Sequence, residues 1–141
     1  MDEKFFQSLI RRSHEEPFGK MIGLEVVEVG LGFARIRMHA SSRLSNIFGT
    51  VHGGAIFSLV DEAFQLACNS HGVMAVALNV SITYVSAPGE DALLEASAQE
   101  IYRTNRTASY ACRVTEPLTG KLIATAQALA YRTKKSLVAE E

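Results

Sequence analysis

The sequence predicts a single α+β domain in which one long helix packs on an antiparallel sheet, and three observations carry that prediction. After His52-Gly53-Gly54 the apolar residues Ile56, Leu59, Val60, Ala63 and Ala67 recur at helical spacing. On a wheel of about 100° per residue they form one stripe. Segments 22–29, 34–39, 75–86, 92–103, 106–115 and 122–132 read as strands, with Gly, Pro and Asn signals between them. The four strands that follow the helix have short links, which predicts an antiparallel meander.

The chain has 141 residues, enough for one domain with a proper core. Its 48% hydrophobic and 21% charged residues are ordinary for a globular protein. A net charge of -1 gives no drive toward nucleic acid or an anionic membrane. The apolar runs are too short to span a bilayer, and the opening Met1-Asp2-Glu3-Lys4 has no signal-peptide core, so the cytoplasm is the expected location. Cys68 and Cys112 make neither a disulfide framework nor a zinc spacing, and no metal site is expected. Phosphate-loop, nucleophile-elbow, metalloprotease and dinucleotide motifs are all absent.

In chain order, residues 2–13 read as a short helix with Phe5, Phe6, Leu9 and Ile10 on one face, ended by Pro17-Phe18-Gly19. It is expected to cover one edge of the domain, so residues 1–17 form a helical lead-in. The first two strands join at Gly30-Leu31-Gly32, a hairpin signal. In the second, Ala34, Ile36 and Met38 alternate with Arg35, Arg37 and His39, giving one buried and one solvated face. Ser41 to Val51 is the loop into the long helix. The later connectors are Ala87-Pro88-Gly89, Thr104-Asn105 and Pro117-Leu118-Thr119-Gly120, and residues 133–141 read as a frayed tail.

The long helix also carries the candidate chemistry. Ser58, Glu62, Gln65 and Asn69 form its polar stripe, and Asp61 sits at the border, flanked by Phe57, Phe64 and Cys68. A carboxylate at such a border is desolvated and becomes a better base. The first amides of a helix lack internal partners and sit at its positive end, so those near Gly53 and Gly54 can polarise a carbonyl oxygen. Asp61 lies eight residues beyond Gly53, about 12 Å along the axis at 1.5 Å per residue. One acyl carbon cannot meet both in the same chain. A site using both must be shared between two antiparallel copies across a two-fold axis.

Asn46, His52-Gly53-Gly54 and Asp61, nine residues after the histidine, form an ordered set. It resembles the hotdog-fold acyl-CoA thioesterases, most closely the phenylacetate-degradation (PaaI-type) subgroup. The match continues through Phe57-Ser58-Leu59, Ala67-Cys68-Asn69-Ser70 and Gly72-Val73-Met74-Ala75-Val76-Ala77, and covers about residues 18 to 132. The resemblance implies the hotdog fold, a long helix along a strongly curved antiparallel sheet. It also implies hydrolysis of an aryl-acyl-CoA such as (hydroxy)phenylacetyl-CoA. A short- or medium-chain fatty acyl-CoA thioesterase and a non-catalytic acyl-CoA-binding module are the alternatives. Hotdog dehydratases pair a His with an acid on a spacing this chain lacks.

On that reading Asp61 is the base or nucleophile and the Gly53 amide receives the carbonyl oxygen. Asn46 places the thioester or water, and His52 braces the loop. Gly54, Phe57, Phe64, Ala77 and Asn79 contact substrate. Arg103, Asn105 and Arg106, around the Thr104-Asn105 connector, hold the nucleotide end of coenzyme A. Some relatives carry Ser or Thr where this chain has Ala77, with Asn79 or Ser81 as substitutes on the same alternating face. No cofactor is implied beyond coenzyme A within the substrate. The implied assembly is a homodimer with shared sites, built into a homotetramer.

Overall fold

The computed structural model describes residues 2–138. Helix α1 (Glu3–Glu15) begins where Asp2 accepts the Phe5 amide at 3.0 Å and turns Phe5 and Leu9 inward. Pro17 ends it, as expected, but also opens a second helix, α2 (Pro17–Ile22), which takes up Ile22, expected to begin the first strand. Proline fits the first helical position because its missing N–H would have no partner there. Gly23, at φ 79°, closes α2.

Strands β1 (Glu25–Gly30) and β2 (Phe33–His39) form the expected hairpin. Gly32 is required in its turn twice over: its φ is +68°, and a Cβ there would lie 2.4 Å from Glu100 Oε2. Helix α3 runs unbroken over Gly53–Asn69. Strands β3 (Val73–Tyr84), β4 (Leu93–Arg103), β5 (Thr107–Glu116) and β6 (Lys121–Ser136) follow.

All six strands make one antiparallel sheet in the order β1-β2-β4-β5-β6-β3. The four-strand meander is therefore corrected. β4, β5 and β6 meander, but β3 lies at the far edge beside β6. The side chains give the reason. β4 offers buried Leu94, Ala96 and Ala98 against Ala34 and Ile36 of β2, beneath the helix. β3 presents Asn79, Ser81 and Thr83, which suit an edge.

The core lies between α3 and the sheet. Leu59, Val60, Ala63, Phe64 and Ala67 meet Ile36, Met38, Leu94, Tyr110, Val114 and Ile123, all essentially inaccessible. The alanines at 96, 98, 128 and 130 leave room for the helix to approach. Two residues of the expected polar stripe are buried instead. Glu62 is covered by α1, and Asn69 bridges to β3, accepting the Ala75 amide at 2.8 Å and donating to its carbonyl at 3.1 Å.

The expected frayed tail is also corrected in part. Residues 133–136 continue β6, and the Leu137 amide donates to Gly72 O at 2.8 Å. The acidic end, Glu140-Glu141, lies outside the described residues. Among the described residues no helix is long and apolar enough to cross a membrane.

Candidate active site

The start of α3 is built around one free amide. His52 is the N-cap, and its Nδ1 accepts the Gly54 N–H at 2.8 Å. A Cβ on Gly54 would stand 3.0 Å from that nitrogen. His52 O accepts the amides of Ala55 and Ile56 at 2.9 and 3.3 Å. The Gly53 N–H has no acceptor among the described residues. The expectation that both glycine amides serve a carbonyl oxygen is thus narrowed to Gly53, because the His52 ring occupies the other. The phenol of Tyr84, on β3, donates to Gly53 O at 3.0 Å, and its ring would lie 3.3 Å from a Cβ on Gly53. A side chain here would press on that exposed ring, which has room to shift.

Asn46 shapes the loop that delivers this amide. Its Oδ1 accepts the amides of Phe48 and Thr50 at 2.9 and 3.1 Å, and its Nδ2 donates to Thr50 Oγ1 at 3.0 Å. Both polar atoms of the side chain are engaged within the loop. In the single chain the side chain braces this loop. His52, Gly54 and Ser58 border a shallow hollow of about 260 Å³ with Arg43 and Phe18.

Asp61 faces a different and larger cavity, of about 580 Å³, whose wall includes Leu9, Arg12, Phe64, Met74 and Ala77. In the single chain its carboxylate is open to this cavity. Even so, the surrounding wall desolvates it, and with the nearby charge of Glu16 this raises its pKa above the ordinary aspartate value. Cys68 lines the same cavity, but burial, and then Asp61, push its thiol up to about 12, which leaves it inert as a nucleophile. Asp61 lines the larger cavity, while His52 and Gly54, on either side of Gly53, border the smaller one at the start of the same continuous helix.

Other expected residues divide. Phe64 reaches the cavity but is chiefly core, with its ring centroid 5.5 Å from that of Tyr110. Phe57 is half-buried and lines neither hollow. Ala77 lines the cavity, whereas Asn79 does not. A bulge between Ala77 and Asn79 interrupts the pairing with β6, so the simple alternation expected to place the two on one face does not hold.

The β4–β5 connector is partly committed elsewhere. Arg103 contacts His71 Nδ1 and lies 3.7 Å from Glu100 Oε1. Burial, and then Arg103, lower the His71 pKa. A neutral ring accepts from Arg103 at Nδ1 and donates from Nε2 to Glu100 Oε2 at 3.2 Å. Arg106 and Asn105 remain exposed, and Arg132 joins them by donating to Thr104 O at 2.8 Å.

Residues that sequence reasoning missed lie between α1 and α3. Ser13 Oγ donates to Glu62 Oε2 at 2.6 Å. Gln65 Nε2 donates to Glu62 Oε1 at 2.9 Å and to Glu16 Oε2 at 3.0 Å. Burial, followed by Glu16 and Asp61, raises Glu62 to about 7 against the opposing Ser13 bond. Ser13 and Glu16 come from 49 positions away and leave no local signal. Gln65 does leave one: it stands four residues after Asp61, one helical turn on.

Known proteins place this geometry. The sequence profile of the thioesterase superfamily matches residues 48–122. Acyl-coenzyme A thioesterase PaaI of Escherichia coli is 31% identical over 110 residues, 78% of this chain and 79% of its own. The structure of the E. coli PaaI protein from the phenylacetic acid degradation operon superposes with a TM-score of 0.87 at 26% identity, over 93% of this chain and 95% of that one. Acyl-coenzyme A thioesterase 13 of Homo sapiens is 30% identical over 118 residues, 80% of each chain. The structure of smu.793 from Streptococcus mutans bound to acetyl CoA superposes with a TM-score of 0.75 at 26% identity, over 80% of this chain and 90% of that one. By profile match, sequence identity and superposition, the chain belongs to the thioesterase superfamily, as a hotdog thioesterase of the PaaI type.

Proposed function

We propose that this chain hydrolyses the thioester of an aryl-acyl-CoA, such as (hydroxy)phenylacetyl-CoA, to the free acid and coenzyme A. The observation that carries the reading is Asp61, a carboxylate of raised pKa in a largely apolar cavity of about 580 Å³. That volume is of the size small-molecule sites have. The acyl group occupies it, with Phe64 as an aromatic wall. The carbonyl oxygen docks on the Gly53 N–H of a second chain, at the positive end of its α3. Asp61 then either takes a proton from water or attacks the acyl carbon itself. Coenzyme A lies outside, its phosphates toward Arg106 and Arg132, and enters only as part of the substrate. An acyl-CoA substrate makes the cytoplasm the proposed setting.

The proposed assembly is a dimer joined through β3, in which sites are shared, with pairs of dimers forming a tetramer. β3 has twelve residues, pairs among the described residues with β6 alone, and exposes Val76 (42%), Leu78 (55%) and Tyr84 (49%). A long edge strand that exposes apolar side chains among its polar ones offers a surface for a partner.

The test is free-thiol release from phenylacetyl-, hydroxyphenylacetyl-, benzoyl-, acetyl- and long-chain acyl-CoA, with wild type beside Asp61→Asn. Aryl esters are expected to rank first. The substitution should lower kcat by about 10³-fold with the fold intact. The wild-type acid limb should lie above the ordinary aspartate range, because a protonated Asp61 cannot act. Fatty acyl esters ranking first would move the substrate class, and binding without turnover on any ester would leave a binding module.

A further inference from the structure

We propose that the Ile47-Phe48 turn of one chain closes the acyl cavity of its partner in the dimer, so that Phe48 helps to set which acyl group is taken; this rests on the shared-site hydrolase reading above. Ile47 and Phe48 are the central residues of a β-turn closed by the Gly49 amide, which donates to Asn46 O at 3.1 Å. Such places favour glycine, proline and small polar residues. Here they carry two large apolar side chains, 92% and 81% exposed. The loop's own bonds keep them turned outward. The Asn46 amide donates to Thr50 O at 2.7 Å, the Asn46 side chain accepts the Phe48 and Thr50 amides, and Ser45 bridges to Val51. A braced turn that presents apolar side chains to water marks a contact with another surface.

Strand β3 shows which surface that is. At one end of it, Tyr84 donates to Gly53 O at 3.0 Å, which ties the start of α3 to that end of the strand. The His52 amide donates to Leu44 O at 2.7 Å, which folds the loop back against the same place. At the other end of β3, Met74, Ala75, Val76 and Ala77 line the cavity that holds Asp61. The antiparallel α3 helices of a shared site require a two-fold axis across the strand, and such an axis pairs two copies of β3 antiparallel. Pairing about the middle of the strand sets Tyr84 of one chain beside the partner's Val73 and Met74. Each Gly53 then reaches the partner's cavity, as the proposed chemistry requires. Phe48, four residues before His52, arrives with it at the cavity mouth. That mouth offers apolar surface, since Val76 on its wall is 42% exposed.

In this arrangement the acyl group lies between Phe64 of the chain that supplies Asp61 and Phe48 of the chain that supplies the Gly53 N–H. An aryl group meets an aromatic ring on each side. Removing the outer ring widens the mouth, which costs an aryl group its contact and gives a long acyl chain a way out.

Two measurements test this. The chain has no tryptophan, so Phe48→Trp reports on the turn alone. Its emission is expected to be blue-shifted in the dimer and to match tryptophan in water when Leu78→Asp, which sets like charges across the β3 seam, is added. Water-like emission in a dimer demonstrated by sedimentation overturns the placement, whether or not the protein is a hydrolase. The second measurement is thiol release by mixed dimers of Asp61→Asn and Gly53→Pro chains. Their one working site takes Asp61 from the Gly53→Pro chain and the turn from the Asp61→Asn chain. Phe48→Ala on the Asp61→Asn chain is expected to lower the ratio of kcat/KM for phenylacetyl-CoA to that for palmitoyl-CoA about tenfold. The same substitution on the Gly53→Pro chain is expected to leave that ratio within about twofold. An equal change from either chain, or no change from both, overturns the proposal. Mixed dimers and wild type that both release no thiol fail earlier, at the hydrolase reading, and the emission then decides the placement by itself.

Discussion

Gly53 is the residue on which the electrostatic half of the proposed mechanism depends, and its N–H can be removed without removing the helix. It occupies the first helical position, where proline is tolerated, and His52 already has the extended backbone that must precede a proline (φ -63°, ψ 133°). Gly53→Pro deletes the N–H, and Gly53→Ala adds a similar Cβ against Tyr84 while keeping it. We expect Gly53→Pro to lose about 10²-fold in kcat beyond Gly53→Ala, the usual effect of losing one donor to a developing oxyanion. Equal kcat in the two variants would remove the amide from the mechanism. This much was legible in the sequence: His52-Gly53-Gly54 before a helical stripe marks an N-terminus with unpaired amides. Which glycine is free was not legible, because that depends on the direction of the His52 ring. The same holds for Asn46, whose loop contacts depend on how the chain folds back over residues 46–50.

At the scale of elements, α1 does more than cover an edge. It buries Glu62 and holds it through Ser13. The folded-state pKa of Glu62, about 7, stands above its unfolded value of 4.5. Between those values the folded chain keeps a proton that the unfolded chain has lost, so stability falls as pH rises from about 4.5 to 7. Glu62→Gln should abolish that slope and raise the melting temperature by a few degrees at pH 8, with little change at pH 4.5. Parallel melting curves for the two proteins across this range would contradict the assignment. Sequence periodicity placed Glu62 on the polar stripe correctly but could not reveal that another helix lies on that stripe. The strands show the same division. Alternation located β2 and its buried face, yet the position of β3 beside β6 is set by which faces fit beneath α3, a tertiary matter.

For the whole molecule, the separation of Gly53 from Asp61 along one helix makes assembly part of the proposed chemistry. Leu78 stands exposed on the unpaired side of the sheet. Leu78→Asp should place like charges together across the proposed seam, giving monomers in sedimentation and loss of turnover with helical content unchanged. An active monomer would contradict a shared site. The fold class was legible from the pattern of helix and strands, and the expectation of two chains came from spacing, since eight helical residues fix a distance. The seam was not legible, because only the sheet order shows that β3 has a free edge.

The most direct measurement of the central claim is complementation between two inactive variants, Asp61→Asn and Gly53→Pro, co-refolded in equal amounts. Half of randomly formed dimers are mixed, and each of these carries one site with both Asp61 and the Gly53 N–H intact. The account predicts recovery of about a quarter of wild-type turnover from two preparations that are each inactive alone. Activity in the mixture no greater than the sum of the two residual activities, with mixed dimers shown to be present, would contradict it.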